Sequence, residues 1–113
     1  MGENTAEAIV QATRALLQQI IELNEVHEED VASIIFSVTP DLNGAFPALA
    51  ARQLGWNDAA LMCCQEIAVP DRVPHCIRVL VHWNTTRSIK EIRHVYADGA
   101  ADLRPDRAAR TDP

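Results

Sequence analysis

A chain of 113 residues, 48% hydrophobic and 23% charged, makes one domain with a real core, and its small size leaves room for a site completed by a second subunit. The net charge of −6 arises from residues 1–30, where seven acids meet Arg14 alone; no basic stripe with interleaved aromatics follows, which excludes a nucleic-acid footprint. The apolar runs fall short of a membrane span and no basic leader precedes an apolar stretch, so the chain reads as cytoplasmic.

Asn4-Thr5-Ala6-Glu7 offers an N-cap with an acid three residues on, and Ile9, Ala12, Leu16, Ile20 and Leu23 recur at helical spacing. A long amphipathic helix to about Asn24 is predicted. After a charged connection, Ala32 to Val38 reads as a strand, and the turn residues of Thr39-Pro40-Asp41-Leu42-Asn43-Gly44 end it. Phe46-Pro47 then opens a short second helix over Ala48 to Leu54, stopped by Gly55. Ala60 to Ile67 is a second strand candidate, closed by the loop Val69-Pro70-Asp71-Arg72-Val73-Pro74.

Ile77-Arg78-Val79-Leu80-Val81-His82-Trp83 is the most informative stretch. A period of two puts Ile77, Val79, Val81 and Trp83 on one face and Arg78, Leu80 and His82 on the other. An arginine inside a β-branched run needs an anion, supplied either by a carboxylate of the protein or by one on a ligand. This strand is expected to pair with the 60–67 strand as an antiparallel hairpin with a long connection. Ser88-Ile89-Lys90-Glu91 repeats capping-box spacing and predicts a helix through about Val95, and Ala101 to Pro105 reads as a short edge strand.

Cys63, Cys64 and Cys76 are odd in number and lack CxxC spacing, so neither a disulfide framework nor a zinc site is predicted. The four histidines are scattered without a metal-ligand pattern, and no cofactor is implied.

Six segments fall in one family's order: Ser37-Val38-Thr39-Pro40-Asp41-Leu42, Phe46-Pro47-Ala48 with Arg52, Cys63-Cys64-Gln65-Glu66, Cys76-Ile77-Arg78-Val79, Ile92-Arg93-His94-Val95-Tyr96 and Leu103-Arg104-Pro105-Asp106. Together they resemble the monofunctional chorismate mutases of the AroH class, the trimeric type of bacilli. The resemblance implies an α+β fold, a mixed β-sheet packed against helices in a ferredoxin-like, pseudo-barrel trimer. It also implies a single domain over residues 1–106, with 107–113 a flexible tail. The implied activity is the pericyclic conversion of chorismate to prephenate, in the shikimate-pathway branch to Phe and Tyr, in sites between subunits of a homotrimer. The implied partners are that small-molecule substrate and further copies of the chain, without nucleic acid or membrane.

Such a reaction makes and breaks its bonds together, so catalysis rests on holding the reactive conformer and stabilising charge on the ether oxygen. Carried over by position, Arg78 resembles the arginine on that oxygen and a carboxylate, where losing a preorganised donor costs about 3–4 kcal/mol of barrier. Glu66 matches the carboxylate that accepts the substrate hydroxyl, Cys63 the residue touching the same hydroxyl, and Tyr96 a ligand-contacting tyrosine. Phe46, Arg52 and Ala48 would come from the neighbouring subunit, and Leu103 and Arg104 from a tail over the pocket. Where the family can carry a lysine in its second helix, this chain has Leu49. Cys63 and Glu66 are three apart and face opposite sides of a regular strand, so a bulge, an early strand end or a backbone contact at Cys63 is expected.

The resemblance departs at the front. Family members open with a strand of the pattern Arg-Gly-x-Arg-Gly-Ala, which supplies a second substrate arginine, whereas Met1-Gly2-Glu3 leads almost directly into the first helix. A start placed too late is the expected cause. The alternative is a truncated, catalytically impaired member serving as a trimeric ligand-binding or interaction protein.

Overall fold

The computed structural model describes residues 2–71 and 73–96. Helix α1 (Ala6–Asn24) is followed by a 3-10 turn (Glu28–Asp30), strand β1 (Val31–Val38), helix α2 (Leu49–Gln53), strands β2 (Ala60–Gln65) and β3 (Ile77–Trp83), and a second 3-10 turn (Ile89–Glu91). The sheet order is β2-β1-β3, with β2 parallel and β3 antiparallel to β1. The expected α+β class and mixed sheet are therefore present. The expected hairpin is not, because β2 and β3 both pair with the central β1. A parallel β1–β2 pair needs a crossover, and the 39–59 segment carrying α2 supplies it.

Capping starts α1 one residue later than the Asn4 signal. The Thr5 hydroxyl accepts from the Ala8 amide at 3.1 Å, so Thr5 is the N-cap. Asn4 ties down the loop after β1 instead: its Oδ1 accepts from the Asn43 and Gly44 amides. A side chain at Gly44 would sit about 3.0 Å from the Thr5 backbone, so this close approach requires glycine. The buried stripe of α1 is Ile9, Val10, Thr13 and Leu17, turned from the predicted Leu16–Ile20 row. Thr13 is tolerated there because its hydroxyl donates to the Ile9 carbonyl at 2.7 Å.

The core gathers Leu17, Val26, Val31, Ile34, Phe36, Ala48 and Ala51 between the helices and one sheet face. Alternation alone would place Val31 on the opposite face from Ile34 and Phe36. A register shift between Val31 and Ser33 resets the parity and brings Val31, opposite Trp83, inward. At the other end of the strand no such shift intervenes, and Ser33, Ile35 and Ser37 share the outer face.

The predicted helix over 88–95 shortens to one turn. The Ser88–Glu91 capping box forms, but Ile92 is extended. The cause is Asn24, whose amide donates to the Arg93 carbonyl at 2.9 Å and whose carbonyl accepts from the Arg93 amide at 2.8 Å. With both of its backbone groups taken, Arg93 has none for a helix. The edge strand expected over 101–105 and the tail lie outside the described residues.

Candidate active site

Period-two alternation, carried across the sheet by register, assembles the site. Arg78 on β3 is in register with Ser37 on β1, and Ser37 with Cys64 on β2. The ladder continues one step past β2, the Glu66 amide donating to the Val38 carbonyl at 2.8 Å. Glu66 therefore shares the outer face with Cys64, Ser37 and Arg78. The Arg78 anion is thus Glu66, reached across the central strand and not from an adjacent one: Arg78 Nε lies 3.2 Å from Glu66 Oε2. The Ser37 hydroxyl donates to the same Oε2 at 2.7 Å.

Burial is asymmetric within this trio. The Glu66 side chain is 17% exposed and that of Arg78 is 52% exposed, so the acid is anchored and the cation is presented. A half-exposed pair is screened by water and contributes little to stability. Its value is in position. The trio opens onto a cavity of about 800 Å³ lined also by Thr39, Asp41, Val73 and Cys76.

The cavity wall is braced by Asp41. Its carboxylate accepts the Thr39 hydroxyl and, through both oxygens, the His75 amide at 3.0 and 3.2 Å. His75 is left-handed at φ 47°, an uncommon conformation for a non-glycine residue, and this two-oxygen clamp holds it. The Thr39 hydroxyl chiefly, opposed by burial and aided by the His75 amide, holds the Asp41 carboxyl below its usual range. Thr39 closes the wall by exchanging bonds with Cys76, accepting from its amide at 2.9 Å. Burial, then the Glu66 charge, pushes the Cys76 thiol up, with Arg78 opposing. Cys76 beside the cation is therefore a thiol and not a thiolate at neutral pH.

The other sequence-predicted residues divide around this trio. Tyr96 is half-buried and shares with Arg78 a separate groove of about 310 Å³ between α1, β3 and the 92–96 segment. Cys63 points to the opposite face from Glu66, packing against the core and lining a third cavity with Phe46. β2 has no bulge, and it does end early, at Gln65 instead of the expected Ile67, but its pairing is regular through Cys63 and the thiol stays on the inner face. Phe46 is 78% exposed, Ala48 is buried at the start of α2, and Arg52 is exposed in its last turn. Leu103 and Arg104 lie outside the described residues. One copy thus brings Glu66 to Arg78 on one side and sets Tyr96 in the groove on the other, but does not bring up Phe46, Ala48, Arg52 or the Cys63 thiol. Sequence reasoning passed over Ser37, Thr39 and Asp41 as site-building residues. The one signal for Ser37 was its parity, a polar residue alternating with the apolar Phe36; that its strand pairs with the Arg78 strand comes only from the structure.

Chemically, this face offers a presented guanidinium for an anion and a fixed carboxylate to accept a ligand hydroxyl. Among the described residues no group of three or more His, Cys, Asp or Glu could hold a metal, and no helix is long and apolar enough to cross a membrane.

The family model described as chorismate mutase type I matches residues 1–107. The chorismate mutase AroH of Thermus thermophilus is 49% identical over 105 residues, 92% of this chain and 86% of that protein. Its counterpart from Bacillus subtilis is 43% identical over 104 residues, 91% and 82% of the two chains. The solved chorismate mutase from Clostridium thermocellum superposes with a TM-score of 0.88 at 51% identity, covering 90% of this chain and 91% of that one.

Proposed function

The chain belongs to the type I chorismate mutase family, and from that membership we propose how its residues serve the reaction. It is a chorismate mutase, an isomerase that rearranges chorismate to prephenate. The observation that carries the site assignment is the presented Arg78 head, paired at Nε with an anchored Glu66 at the mouth of the large cavity. As the ether C–O bond breaks, negative charge grows on its oxygen, and a guanidinium already in place stabilises it without reorganisation. Glu66 accepts the substrate hydroxyl and keeps Arg78 from swinging. Tyr96 closes the groove beside Arg78.

A homotrimer with sites between subunits completes this reading. A neighbouring copy brings Phe46, Ala48 and Arg52 to the Arg78 face, and the exposure of Phe46 on a single copy supports such a role. Cys63 then meets the ligand through its backbone, since its thiol faces inward. Leu103 and Arg104 supply contacts from the segment beyond Tyr96.

The test is steady-state kinetics, followed by loss of chorismate absorbance. Arg78→Ala lowers kcat by about 10²–10³-fold with the melting temperature nearly unchanged, the size expected for one preorganised donor. Wild-type kcat in this variant would remove Arg78 from the mechanism.

A further inference from the structure

We propose that Ser37 is a positioning residue for catalysis, its hydroxyl fixing which oxygen of Glu66 holds Arg78 and which is left for the ligand. This rests on the assignment of Glu66 and Arg78 to the reacting face.

Oε2 of Glu66 takes both the Ser37 hydroxyl at 2.7 Å and the approach of Arg78 Nε at 3.2 Å. Among the described residues, no hydrogen bond is directed at Oε1. The two oxygens are therefore inequivalent before any ligand binds: one is committed to the protein and the other is available. A glutamate head turns easily about its last torsion, and a half-exposed arginine alone would hold it loosely. Ser37 does not share that freedom. It lies on the central strand, with Cys64 and Arg78 as register partners on its two sides, so the backbone that carries its hydroxyl is held by a neighbouring strand on each side.

The same geometry aligns the cation. With Oε2 held by the Ser37 hydroxyl, Arg78 Nε meets a fixed oxygen at 3.2 Å, and the rest of the half-exposed Arg78 side chain lines the cavity. Without the hydroxyl, the carboxylate turns and the guanidinium head follows. The lost interaction is one made mainly in the transition state, so kcat and kcat/KM fall together while KM holds.

The experiment compares wild type with Ser37→Ala, Ser37→Cys, Ser37→Thr and Arg78→Ala by kcat, KM and melting temperature. Ser37→Ala lowers kcat about tenfold, an effect of the size of one hydrogen bond to a charged group, with KM changed less than about twofold. Ser37→Thr, which keeps the hydroxyl and suits a strand, stays within about threefold of wild type. Should Ser37→Ala not fold, the near-isosteric Ser37→Cys, a weak donor, shows the same fall. Wild-type kinetics in Ser37→Ala, or equal impairment by Ser37→Ala and Ser37→Thr, would overturn the positioning role, the second because it would make space and not the hydroxyl decisive. A fully active Arg78→Ala would instead overturn the site assignment beneath it.

Discussion

At the scale of single residues, the electrostatics of the site concern position more than stability. The Arg78–Glu66 pair is half open to water, whereas Asp41 is committed to a lattice of bonds that holds the loop before β3. Asp41 titrates below its ordinary value of 3.8, so the folded protein prefers the carboxylate. The stability this contributes is present above the unfolded value and is lost as pH falls from about 4 through the lowered folded value. Asp41→Asn should therefore be less stable than wild type at pH 7, with the gap between their urea midpoints narrowing as pH drops below 4. A gap that stays constant with pH would show that the Asp41 charge has no part in holding the loop. The role of Asp41 was hidden in the sequence because Thr39-Pro40-Asp41 looks like any turn, and only the left-handed His75 reveals why an acid is required there.

At the scale of elements, most of the fold was legible because its signals are local. The alternation along Ile77 to Trp83 gives both faces of β3, and the apolar run from Ala32 to Val38 gives the existence of β1. What was not legible is long-range. Nothing in the order of three strands says that β1 lies in the middle, and the hairpin expectation came from adjacency in the chain alone. The 88–95 helix failed for a similar reason: Asn24, at the far end of α1, takes both backbone groups of Arg93. Asn24 is 2% exposed and also donates to the Ile20 carbonyl, so it latches the segment carrying Tyr96 onto α1. Asn24→Ala should cost about 1–3 kcal/mol, the usual loss when buried polar groups are stranded. It should also raise KM, as Tyr96 is released, and hydrogen exchange at Arg93 should quicken. Unchanged exchange at Arg93 would show that the segment is held by something else.

At the scale of the whole molecule, the single chain carries two separate surfaces that the proposed site would combine. One presents Arg78 and Glu66, and the other presents Phe46 and Arg52 with the inward-facing Cys63 between helix and sheet. Spacing along the chain does not encode which copy a residue serves; only the family resemblance assigned Phe46, Ala48 and Arg52 to a neighbouring subunit. In the proposed homotrimer, subunits related head to tail would bring the two surfaces together. The most direct measurement mixes two variants, Arg78→Ala and Arg52→Ala, after co-refolding to exchange their subunits. Each alone should be strongly impaired. The mixture should recover roughly a quarter of wild-type activity, the chance that random assembly sets an intact Arg78 against an intact Arg52 in a head-to-tail ring. Activity no higher than the mean of the two variants would contradict a site shared between copies.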